Sequence, residues 1–187
     1  MKKSVLILFI LIFNSNSFGQ NNYGYYITNS NDTIKCNFDL FIVLGKFDPQ
    51  TVRNKIKIIN NDGSISKYKP NEIKSFFIST TNSGVYKFVS ITGYNYFYHQ
   101  IIKEKLSYYK VYLNNPGGAF GSLASEKLYL YKNEKLTEID PLFLRKGLSK
   151  QIEDYPELYQ KWIDSDKYYK LNQFEEVINL YNKHFKI

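Results

Sequence analysis

Side chains suited to nucleophilic or acid–base chemistry are few in this 187-residue chain, which holds one cysteine and two histidines. Cys36 stands in Ile34-Lys35-Cys36-Asn37-Phe38, where alternation puts Ile34, Cys36 and Phe38 on one strand face. Free cysteine is among the most buried residue types, so this one reads as an apolar thiol. His99 follows the ring-rich run Tyr94-Asn95-Tyr96-Phe97-Tyr98, and His184 falls in the last turn of a predicted helix, where the dipole favours an imidazolium. The acids are scattered. Asp32 and Asp62 sit in turns, Asp164 and Asp166 bracket a helix end, and Glu175 and Glu176 occupy a first helical turn. No nucleophile elbow, His-Glu-x-x-His pair, phosphate loop or dinucleotide fingerprint is present. The sequence therefore assigns no catalytic residue, cofactor or metal ligand.

Binding chemistry is better represented. Eighteen tyrosines recur in pairs and alternations, as in Tyr25-Tyr26, Tyr108-Tyr109 and Tyr129/Tyr131. Successive strand side chains alternate, so one of two adjacent tyrosines faces outward. Such rings add contact area at little entropy cost. Asn115-Pro116-Gly117-Gly118-Ala119-Phe120-Gly121-Ser122 reads as a loop between strands with Phe120 at its tip. Tyr94, Tyr96, Tyr98, His99 and Phe120 form the candidate ligand surface, for an envelope protein or a glycan. The rival expectation is an envelope hydrolase whose site forms only in three dimensions.

The formal charge of +8 invites a nucleic-acid reading, but composition weakens it. Phe, Tyr, Ile, Asn and Lys, all with AT-rich codons, make up 94 of the residues. The cations are 23 lysines to two arginines, whereas arginine is the forked donor for phosphates and base edges. Lysines alternating with apolar residues, as in Lys55-Ile56-Lys57-Ile58, fit the solvated side of a half-buried strand.

The N-terminus supplies an address. Met1-Lys2-Lys3 precedes the nine apolar residues of 5–13, then a polar stretch ends in Ser17-Phe18-Gly19-Gln20. Basic start, apolar run and small residues at the cut are the order of a secretory signal, with cleavage expected after Gly19. Nine helical residues cover only about 14 Å of a hydrocarbon core of roughly 30 Å, so the run is too short for an anchor. Without residues 1–19 the mature chain has 168 residues and a charge of +6. It is expected to be soluble, periplasmic or secreted, without a transmembrane span, and away from nucleic acid.

The elements that position these residues fall into two blocks. From 20 to 140, short β-type segments alternate with turn signals: 24–28 with 33–40, 55–59 with 64–68 across Asp62-Gly63, 73–78 with 85–91, then 105–113, 127–132 and 136–139. From 141 to 187 the apolar period becomes helical, predicting helices over 141–152, 156–166 and 172–184. Asp140 before Pro141, Asp154 close before Pro156, and Asn172 three residues before Glu175 are start signals. The tail from 150 on carries net −1, leaving the β part basic. The expected class is α+β: an antiparallel β-roll or small barrel capped by about three short C-terminal helices.

The arrangement resembles a family of exported proteins of Bacteroidetes-type bacteria. The resemblance rests on Gly24-Tyr25-Tyr26-Ile27, Asn31-Asp32-Thr33-Ile34-Lys35, Asp62-Gly63, Tyr68-Lys69-Pro70-Asn71-Glu72-Ile73, Asp154-Tyr155-Pro156-Glu157-Leu158 and the closing Tyr181-Asn182. That family often has glycine where Cys36 stands, which implies a small residue against packed backbone. It has no known activity, so the resemblance implies a fold and an address. The functional expectation is a non-enzymatic binding or interaction module of the cell envelope.

Overall fold

Alternating apolar residues punctuated by Asn, Asp and Gly turns build an antiparallel sheet. The computed structural model describes residues 23–113, 125–164 and 171–186. The signal-like segment, the glycine-rich loop with Phe120, and Tyr168 and Tyr169 lie outside them, as does the side chain of Asn172. Among the described residues the strands are β1 (Tyr23–Thr28), β2 (Thr33–Phe38), β3 (Ile42–Val43), β4 (Lys46–Phe47), β5 (Ile56–Ile59), β6 (Ile65–Tyr68), β7 (Ile73–Thr80), β8 (Gly84–Ser90), β9 (Phe97–Ile102), β10 (Ser107–Leu113), β11 (Ser125–Lys132) and β12 (Lys135–Ile139). The helices are α1 (Leu144–Ile152), α2 (Pro156–Ile163) and α3 (Leu171–His184). The α+β class holds.

Ten strands form one sheet in the order β12-β11-β10-β9-β8-β7-β1-β2-β5-β6, every neighbour antiparallel. Only residues 69–72 connect the edge strand β6 to the interior strand β7. In a flat sheet those strands would stand four spacings, roughly 19 Å, apart, at the limit of such a link. The sheet therefore curls, and Tyr26 on β1 meets Tyr68 on β6 with ring centroids 5.3 Å apart. It remains a roll. Past Tyr68 the approach to β7 is a single bridge, Pro70 with Ile73, and a proline has no N–H to extend a ladder. The barrel alternative is thereby corrected: the sheet is open.

The turns obey the sequence. Asn31, Asn133, Glu134 and Gly63 take positive φ, and the Asp62 carboxylate accepts from the Ser64 backbone N–H at 2.9 Å. Two elements were not foreseen. Strand β9 puts Phe97 and His99 on one face and Tyr98 and Gln100 on the other, so its residues show no alternation of apolar with polar. The β3–β4 hairpin is too short to leave a pattern.

Inside the roll, Tyr26, Phe38, Ile56, Ile58, Phe76, Ile78, Phe88 and Phe97 pack with Phe47 and Val52 from the segment crossing between β2 and β5. The same face continues into a second core, where Tyr108, Leu128, Leu130 and Ile139 meet the helices. The predicted stripes face inward: Leu144, Leu148 and Ile152 of α1, Leu158 and Trp162 of α2, and Phe174, Ile178 and Tyr181 of α3 are all buried. Helix α1 follows a 3₁₀ turn over Pro141–Phe143 that Asp140 caps, accepting from the Leu142 N–H at 2.8 Å. Asp154 departs from its expected capping role. Its carboxylate takes Lys132 at 2.8 Å and the Tyr181 hydroxyl at 2.8 Å, tying the β11–β12 hairpin to α3. Burial pushes its pKa up, but the hydrogen bonds from Lys132 and Tyr181 and the ammonium charge outweigh that and hold it below the usual value. Asn182, 3% exposed, clasps the backbone of Leu106: its oxygen accepts from the N–H at 2.8 Å and its amide donates to the carbonyl at 2.9 Å.

Candidate functional site

The sheet's second face carries the site. Alternation along β8 sends Tyr86 and Phe88 into the roll and leaves Lys87 and Val89 on the other side. Along β9, Phe97 and His99 point into the roll side, whereas Tyr98 and Gln100 take the second face. Because Phe88 pairs with His99, Lys87 and Gln100 stand next to each other there. Tyr109 of β10 pairs with Gln100 and extends the row.

A groove of about 720 Å³ follows this row. It runs from Asn31 in the β1–β2 turn and Lys74 at the start of β7, over Ser75, Lys87, Val89, Gln100 and Tyr109, to Lys103 after β9 and Glu134 in the β11–β12 turn. Ser90, Ile91 and Thr92 contribute a wall. A volume of this size is in the range of sites for small ligands or short oligomers. The lining is mixed: ammonium groups, hydroxyls, one amide and a few apolar side chains.

The groove is basic. Lys57, Lys110, Lys127, Lys132 and Lys186 lie outside it and pair with Asp39, Glu126, Glu138, Asp154 and Glu104. Lys87 and Lys103 have no such partner among the described residues, and Lys74 bonds only the neutral amide oxygen of Asn31. Three lysines and one glutamate leave the groove net positive. Lys87 is moreover half-buried. In the floor beside it, the Gln100 side-chain oxygen is buried with no hydrogen-bond partner. That arrangement costs free energy and finds no use within the fold.

Three of the five residues singled out from sequence come together. Tyr94, Tyr96 and Tyr98 form one cluster with Tyr109 and Tyr129; Tyr98 sits at its centre, 2% exposed, with ring centroids 5.3 Å from Tyr129 and 6.3 Å from Tyr94. Burial, with the neighbouring tyrosines and Glu138, pushes the Tyr98 hydroxyl up to about 12. Arg53 lies 5.4 Å over the Tyr96 ring. These tyrosines lie on the same face, to one side of the groove, and share Val89, Ile91, Tyr109 and Tyr131 with it; Tyr94, Tyr96 and Tyr98 flank the lining without belonging to it.

His99 is separated from them by the thickness of the sheet. Its ring lies between Tyr86 and Phe88, each 5.2 Å away, and its Nδ1 is 2.7 Å from the Tyr112 hydroxyl. Burial, helped by the charge of Lys110, lowers its pKa to about 4, so the imidazole is neutral near pH 7. Phe120 lies outside the described residues. Cys36 faces Gly24 across β1 and β2, and burial pushes its thiol up to about 11. A thiol so placed is a poor nucleophile near neutrality. His184 stacks on Tyr155 with centroids 3.8 Å apart. Among the described residues no three His, Cys, Asp or Glu side chains converge as a metal site requires, and no helix is long and apolar enough to cross a membrane.

No protein-family model, curated protein or solved structure matches this chain. The site therefore has to be read from its own chemistry. Lys74, Lys87, Gln100 and Lys103 were not singled out in the sequence because lysines between apolar residues resemble any solvated strand face. The one available signal was Gln100, an uncharged polar residue amid Phe97–Ile102.

Proposed function

We propose that this protein is an exported, non-enzymatic binding module of the cell envelope whose ligand lies in the groove across β7, β8, β9 and β10. Export rests on the signal-like order of residues 1–19 and on the resemblance to exported proteins of Bacteroidetes-type bacteria. The observation that carries the binding reading is a basic groove whose floor holds a buried polar atom with no partner. The half-buried Lys87 and its neighbour Lys103 line a groove of ligand size with no carboxylate partner among the described residues, beside the buried and unpartnered Gln100 oxygen. A ligand anion supplies the missing partner. The packed tyrosine cluster beside it gives the groove a rigid flank, which lowers the ordering cost of binding.

Two measurements test this reading. Full-length protein expressed in a related host and recovered from the periplasm or medium should begin at Gln20. Intact Met1 on protein confined to the cytosol would refute export. Tagged mature chain should retain an envelope component that the double variant Lys87→Glu, Lys103→Glu fails to retain at equal folded concentration. Identical capture by both proteins would remove the groove from the account.

A further inference from the structure

Resting on the reading of this groove as a ligand site, we infer that its ligand is an acidic oligosaccharide, a saccharide bearing carboxylate or phosphate groups, laid along the groove. Two features of the lining select this chemistry together, and neither alone would. The first is charge distributed over the lining. Lys74 stands on β7, Lys87 on β8 and Lys103 just after β9, so the cations are spread over three neighbouring strands of the lining. A single compact anion would engage one of them; a chain with repeated anionic groups engages all three.

The second feature is the neutral polar lining between those cations. Ser75 and Gln100 offer hydroxyl and amide groups along the same path. Hydroxyl-bearing sugar rings can both donate to and accept from such groups. The inner end of the Gln100 amide has nothing to hold it, and the last torsion of a glutamine is broad. The amide can therefore turn and present either its donor or its acceptor to a sugar hydroxyl. An apolar residue would fill this floor position at lower cost, so the amide's retention beside Lys87 is accounted for by ligand contact. Alternative occupants match only one feature. An acidic peptide brings charge without a polyol, and a neutral glycan brings hydroxyls without charge.

Oligogalacturonate, its fully methyl-esterified form and poly-glutamate separate these cases, since they carry charge with hydroxyls, hydroxyls alone and charge alone. Calorimetric titration of the mature chain should show oligogalacturonate binding at least tenfold tighter than either of the other two. Lys87→Gln should weaken it about tenfold and Gln100→Leu several-fold, while Lys161→Gln on α2 should leave it unchanged. Urea melts of each variant verify that it is folded. Equal binding of the methyl ester, equal binding of poly-glutamate, or no binding of oligogalacturonate overturns the inference. Groove-dependent capture from envelope extracts would in that event still stand, so the ligand class and the existence of the site fail separately.

Discussion

Acid should unfold this protein through one imidazole. His99 is held neutral between Tyr86, Phe88 and Tyr112, with Lys110 as the nearby charge and Glu126 bound to that lysine. Its pKa is about 4 in the fold against 6.5 when free. A group whose folded pKa is lowered binds fewer protons in the native than in the unfolded state between those values. Stability from this histidine is therefore complete above pH 6.5 and is lost as the pH falls toward 4, with no further loss from it below. The gap is worth about 3 kcal/mol in full, at roughly 1.4 kcal/mol per pH unit, and about 2 kcal/mol by pH 4.5 once partial exposure is discounted. His99→Gln keeps a hydrogen-bonding partner for the Tyr112 hydroxyl and cannot titrate. Urea unfolding of both proteins at pH 7.0, 5.5 and 4.5 should show the wild type losing about 2 kcal/mol more than the variant across that range. Parallel losses would mean that the imidazole is not buried as described.

Three further outcomes follow from the packing. Asn182→Leu strips both hydrogen bonds from the buried Leu106 backbone and should cost about 2–3 kcal/mol in urea melts, loosening α3 from the β9–β10 turn. Gln100→Leu removes an unpartnered buried oxygen and should raise stability by about 1 kcal/mol while weakening ligand capture, the opposite signs expected of a functional polar residue. Gly24→Ala would place a Cβ 1.9 Å from the Phe77 carbonyl oxygen, so β1 must part from β7; a loss of about 3 kcal/mol or more, or insoluble protein, is expected on expression.

The fold was legible where local chemistry decided it. Turn residues with a positive-φ tolerance fixed the hairpins, and the helical stripes of residues 144–181 named the buried side chains, because both signals are local in the chain. The motifs behind the family resemblance also find structural work. Gly24 admits the Phe77 carbonyl, Glu72 caps the Lys69 N–H at 2.6 Å, and Asp154, Tyr181 and Asn182 tie the helices to the sheet. What stayed hidden depends on strand order. That β1 lies between β2 and β7 could not be read from alternation, and it is this order that curls the sheet and sets Asn31 and Lys74 at one end of the groove. The candidate surface suffered from the same gap. Tyr98 and His99 are adjacent in sequence, so they necessarily point to opposite faces once they lie in a strand, yet the aromatic run gave no periodicity by which to see one.

The groove itself is tested most directly by nuclear magnetic resonance of the labelled mature chain titrated with envelope saccharide. The side-chain amide of Gln100 and the ammonium-bearing carbons of Lys74, Lys87 and Lys103 should shift together, with one saturation curve. Shifts gathered instead at Leu142 and Phe143, the exposed apolar pair on the helical cap, would place the binding surface on the other part of the molecule and contradict the account.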